Sequence, residues 1–203
     1  MDIFAYFLSI YLKMFFIMTP FFVLSVFLTM TQEVPKKEKN ALSIKVTIAV
    51  IISSLVLLFF GKYIFAVFGI TLDAFRIGAG ALLFLTAIEL VQGTKNKQEV
   101  SNKSINDIAV VPLAIPVVIG PGTIGVLLVM GAEFDTFSKM GLGSLALIFA
   151  VMTIGLMLYL SRHIEKILGE QGLLVISKVT GLFVAALSAQ IIFTGVKNFL
   201  NLG

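Results

Sequence analysis

Two short segments hold residues whose type and order could do chemistry: Thr19-Pro20-Phe21 and Gly120-Pro121-Gly122-Thr123. Proline directly after a capping residue is a helix-start signal, and both signals fall inside long apolar runs rather than between them. At such a start the amides of Phe21 and Phe22, or of Gly122, Thr123 and Ile124, lack intrahelical acceptors and carry the positive end of the helix dipole. That arrangement suits a small anion such as a carboxylate. Gly122 lets a ligand approach the backbone, and the hydroxyls of Thr19 and Thr123 each add a donor and an acceptor. Glu89 is the one carboxylate clearly inside an apolar run, which makes it a candidate proton carrier, and Gln190 is its near equivalent further along. Both also have a structural reading. Glu89 lies close enough to Gly93 to snorkel to an interface, and Gln190 can hydrogen-bond between helices.

Other chemistry is poorly served. There is no cysteine and one histidine, His163, so neither a thiolate nor an imidazole metal site is expected. No nucleophile stands beside a base partner and no pair of buried carboxylates can be picked out, so no catalytic residue, metal or cofactor is assigned and an enzyme is not expected. The formal charge of +4 sits largely on lysines of short connections. It reads as an orientation signal, with no nucleic-acid partner expected.

The elements that must position these residues are set by composition. Of 203 residues 59% are hydrophobic and 13% charged, with a mean hydropathy of +1.07, whereas soluble domains hold about 25% charged residues. Apolar stretches longer than the roughly 18 residues that mark a bilayer span recur along the chain, so the expected partners are membrane lipids and a small-molecule substrate. The fold expected is an all-α membrane protein with spans near residues 3–30, 41–60, 74–91, 108–130, 142–160 and 173–196, joined by loops at 32–40, 61–73, 93–107, 131–141 and 161–172. Lys36 to Lys45, Lys95 to Lys103, Arg162 and Lys166 fall on one side and Lys62, Arg76, Lys139 and Lys197 on the other. Both termini are therefore expected outside.

A shift of 102 residues aligns Arg76 with Lys178, Leu85 with Leu187, Thr86 with Ser188, Ala87 with Ala189 and Gly93 with Gly195. Nearly the same shift sets Thr19-Pro20 over Gly120-Pro121-Gly122. A single membrane domain, 1–203, is expected to consist of two repeats, about 1–97 and 103–203. Three spans per repeat would make the second copy inverted. Four of the five prolines, Pro20, Pro112, Pro116 and Pro121, lie within the first and fourth spans, which should be broken there. Broken backbone at membrane depth requires protein or a wet cavity around it, although a kink for packing alone is the other reading. Gly181, Ala185 and Ala189, with Gly78 and Gly80, are expected to let helices approach closely.

The segments Phe-Gly-Ile at 68–70, Phe-Arg-Ile-Gly-Ala-Gly at 75–80, Val-Pro-Leu-Ala-Ile-Pro at 111–116 and Gly-Pro-Gly-Thr-Ile at 120–124 resemble the MarC family of integral membrane proteins. The resemblance covers nearly the whole chain, and its most specific part is the proline-rich fourth span. It implies a six-helix protein of the bacterial inner membrane, associated with proton-coupled transport of small neutral amino acids such as glycine and alanine. One departure stands out: the family's first-helix Asn-Pro-x-Gly is Thr19-Pro20-Phe21-Phe22 here, which narrows that half of the site. The leading expectation is a secondary transporter that holds a small solute at the two half-helix starts. An aquaporin-like passive channel and a non-transporting assembly or regulatory protein are the alternatives.

Overall fold

In a hydrocarbon solvent every backbone amide needs an internal partner, so long apolar runs become helices. The computed structural model describes residues 3–93 and 117–200 and shows helices and turns there, with no strand among the described residues. The helices are α1 (Ile3–Ile17), α2 (Pro20–Met30), α3 (Lys36–Phe68), α4 (Leu72–Gln92), α5 (Pro121–Glu133), α6 (Phe137–Tyr159) and α7 (Ser161–Phe199). Large apolar side chains such as Ile52, Phe60, Leu156 and Leu182 cover the outside of the bundle. Only lipid suits such a surface.

Lys36–Gly61 of α3, α4, α6 and α7 are long and apolar enough to cross a membrane, and α1 with α2, bent by 41° at the break between them, are so only as a pair, as one broken span or a re-entrant loop. The expected first span, 3–30, is thus interrupted at Met18 and Thr19. In the fourth, α5 begins at Pro121 after a π turn at Val117 and Val118. Its earlier half, with Pro112 and Pro116, lies outside the described residues, as do residues 94–107 of the third loop.

Two expected loops are helical instead. At 61–73, α3 runs on through Gly61 and stops at Gly69, whose φ of 62° is the left-handed turn that ends a helix. Gly61 is a packing residue: a Cβ there would come 2.3 Å from the Leu128 carbonyl oxygen of α5. At 161–172 the charged residues belong to the start of α7, which departs from helical geometry at Gly169 (φ 66°, ψ 171°). The loop at 32–40 shrinks to the few residues before Lys36. That at 131–141 reduces to three residues ending at Thr136, which caps α6 by accepting from the Lys139 amide at 3.4 Å.

α4 and α7 pack antiparallel along their length. Asp73, Arg76 and Ile77 meet Gly195, Gly80 meets Ser188 and Ile192, Ala87, Leu90 and Val91 meet Gly181, and Gly93 meets Lys178. Under the 102-residue shift the contact of Arg76 with Gly195 becomes that of Lys178 with Gly93. Gly80 and Gly181 are the close-approach residues. Gly78, expected to help, has open space where its side chain would be. α5 completes the centre by lying against both α3 and α4. Gly131 presses on the Leu58 carbonyl and Gly125 on Ala79.

Candidate functional site

The first break is built from two helix ends that share one residue. The Thr19 amide donates to the Phe16 carbonyl at 3.0 Å, closing α1, while the Thr19 carbonyl accepts from Val23 at 3.0 Å, opening α2. Thr19 is therefore both the residue just past α1 and the cap of α2. Its φ of 50° and ψ of 57° are left-handed, and its side chain makes no capping bond. It is the one non-glycine residue with positive φ among the described residues. A helix commonly ends with such a residue, usually glycine and sometimes asparagine. The next residue, Pro20, has no amide to complete the terminating pair of bonds.

The second break is milder. Gly120 caps α5 in an extended conformation (φ −74°, ψ 171°), and its carbonyl accepts from Ile124 at 2.9 Å. The helix geometry leaves the amides of Phe21 and Phe22 at one start, and of Gly122 and Thr123 at the other, without intrahelical acceptors. Thr19 and Thr123 are 5% and 4% exposed, and neither hydroxyl has a hydrogen-bond partner among the described residues. Pro20 and Gly122 are buried, Phe21 and Gly120 half-buried, and Pro121 exposed.

Ile17, Met18, Val118 and Ile119, which flank the two breaks, belong to one buried cluster. The described contacts do not set Thr19 directly against Thr123. The room expected above Gly122 is taken by α4, since a Cβ there would lie 2.7 Å from the Leu83 Cα. Its lack of a side chain thus serves helix approach. A small cavity beside the second break is lined by Val46, Thr47, Val118, Val151 and Ile154. The Thr47 hydroxyl is committed to the Ser43 carbonyl at 2.7 Å, so this cavity is apolar.

The coupling candidates lie apart. Glu89 is exposed one turn from the end of α4, and its carbonyl accepts from Gly93. Gln190 is exposed on α7, near the level of Gly80. About nine residues of helix, roughly 13 Å at 1.5 Å per residue, therefore separate the two.

Sequence reading missed one cluster. Arg76, read from the sequence as an outer-side charge, donates from Nε and Nη2 to Glu133 Oε1 at 3.1 and 2.6 Å and from Nη1 to Asp73 Oδ1. Asn198 Nδ2 donates to the same Asp73 oxygen at 3.3 Å. This network joins the ends of α4, α5 and α7. The (i, i+3) spacing of Asp73 and Arg76 was a visible cue, but Glu133 lies 57 residues away from Arg76.

A bundle of apolar helices with an apolar exterior and broken backbone inside is an integral, polytopic all-α membrane protein. The chain belongs to the MarC family: residues 4–200 match the family described as MarC family integral membrane protein. It is similar to a UPF0056 membrane protein of Methanocaldococcus jannaschii, 32% identical over 200 residues that cover 96% of this chain and 98% of that one. A UPF0056 membrane protein of Aquifex aeolicus is 32% identical over 205 residues, covering 96% and 94%. The UPF0056 membrane protein YhcE of Escherichia coli is 30% identical over 201 residues, covering 96% and 93%. No solved structure matches the chain.

Proposed function

We propose that the protein is a secondary transporter of small zwitterionic solutes, in particular small neutral amino acids, and that it works in a plasma membrane with both termini outside. The observation that carries this reading is the pair of helix starts at Pro20 and Pro121. Each has amides without intrahelical acceptors and a buried threonine, Thr19 or Thr123. The amides and the positive helix ends would hold the solute's carboxylate. Phe21 and Phe22 beside the first start restrict the solute's size. Glu89 is the proposed proton carrier and Gln190 a polar contact for the moving halves.

The conformation described is closed around the second break, because Leu83 covers Gly122. Access therefore requires one half to move against the other. The exchange of the Arg76–Gly195 contact for that of Lys178 with Gly93 under the repeat shift supports two inverted halves rocking on the α4–α7 seam. Purified protein in proteoliposomes, given labelled glycine, alanine and serine with and without an imposed pH gradient, tests the proposal. Uptake above the equilibrium level, lost on collapsing the gradient, is expected. Flux that only equilibrates the solute would indicate a channel, and no flux of any solute would remove the transport reading.

A further inference from the structure

We propose a binding site for a phosphate-class anion at the lysine-rich end of the bundle, built around Lys39. This lysine lies in the first turns of α3, yet it is 5% exposed. Its Nζ stands 5.7 Å from the centroid of the Phe27 ring of α2. It makes no ion pair or side-chain hydrogen bond among the described residues. Its stem is buried while its ammonium keeps some exposure, so the head is open to an anion from the headgroup side. A phenyl face compensates only part of the charge.

Among the described residues, the charged groups that act on Lys39 are Arg162 and Glu165, both in the first turns of α7. Arg162 adds a second cation, and Glu165, an exposed carboxylate, stays beyond ion-pair contact. Next to Arg162 in the chain, Ser161 is 1% exposed. α7 starts without a side-chain cap on its amides. An ammonium on a buried stem, a guanidinium fork and an uncapped helix start thus gather where α2 ends and α3 and α7 begin. Together they match an anion that presents several oxygens to point-charge, bidentate and backbone donors at once. Lys39 immediately precedes the apolar part of α3, which is headgroup depth, so an anionic phospholipid and inorganic phosphate would present the same chemical group. Because Phe27 belongs to α2, occupancy would also brace the half-helix that begins at Thr19.

The test uses the full-length protein in detergent, with thermal unfolding followed by circular dichroism. Its probes are sodium phosphate, sodium chloride at matched ionic strength, and phosphatidylglycerol. Phosphate, phosphatidylglycerol or both should raise the melting temperature above the chloride control. Lys39→Met should weaken the response about tenfold, the loss expected for one charge-assisted contact. Lys39→Arg and Glu165→Gln should keep it. If Lys39→Met fails to fold, Arg162→Gln, at an exposed position, should weaken binding with the fold intact. A response to lipid alone assigns a headgroup, and a response to phosphate assigns a site open to soluble anions. The proposal is overturned by equal responses to chloride and both phosphate probes, or by an unchanged response in Lys39→Met. It also falls if Glu165→Gln destabilises the unliganded protein as much as Lys39→Met with no further loss in the double variant, for then Glu165 is the counter-ion.

Discussion

A left-handed backbone costs a β-branched residue about 1–2 kcal/mol, and Thr19 holds one at φ 50°. The break imposes it: the residue must close α1 and open α2 in a single step, with the Pro20 ring fixing the backbone on its far side. Asparagine tolerates this conformation better, so Thr19→Asn is expected to raise stability by about 1 kcal/mol, read as a higher melting temperature in detergent. A lower melting temperature would mean that the threonine methyl packs well enough to outweigh the strain. The order of residues made the helix starts legible, but a cap residue is ordinarily extended. Its second duty, ending α1, became visible only in the bonds of Phe16 and Val23. Thr123 is buried at the second helix start, so Thr123→Val should cut solute flux about tenfold, the loss of one hydrogen bond to a charged group. Its melting should stay close to that of the parent, because no hydrogen bond among the described residues is removed.

Helix contacts rest on absent side chains. An ideal Cβ on Gly131 would sit 1.8 Å from the Leu58 carbonyl oxygen, whereas one on Gly141 meets nothing within 4 Å. Gly131→Ala should therefore destabilise the α3–α5 contact by about 1–3 kcal/mol. Gly141→Ala should be neutral or stabilising by up to about 1 kcal/mol. Comparing the two unfolding curves checks both. The ends of α4 and α5 are tied by Arg76 and Glu133, whose side chains are 13% and 41% exposed. Solvent on the Glu133 side limits the pair to about 1 kcal/mol. Arg76→Glu and Glu133→Arg should each speed unfolding, and the charge-swapped double variant should recover much of the loss. Additive losses in that cycle would show that the pair contributes no coupling. Apolar runs placed most helices correctly because hydrocarbon leaves the backbone no other option. The error at 61–73 came from reading Gly61 as a breaker and that at 161–172 from reading charge as one, although Gly169 does interrupt the helix there. In lipid Gly61 is a contact surface, and the charged first turns of α7 are still helical.

At the scale of the whole bundle, the antiparallel seam of α4 and α7 gives the two expected halves one shared face, and the repeat shift read from sequence exchanges one contact across it, Arg76 with Gly195, for another, Lys178 with Gly93. Where the two breaks lie relative to each other was not legible in the same way. Apolar periodicity fixes which segments are helical and says little about how half-helices lean. The length of α3 has a consequence of its own. Its 33 residues extend about 50 Å at 1.5 Å per residue, against a hydrocarbon layer about 30 Å thick. The rod must tilt or push its last turns, with Tyr63, Val67 and Phe68 largely uncovered, out among the lipid headgroups. Either choice ties the protein's energy to acyl-chain length. Reconstitution across a series of phosphatidylcholines of increasing chain length should therefore give an optimum in stability, displaced toward thicker bilayers.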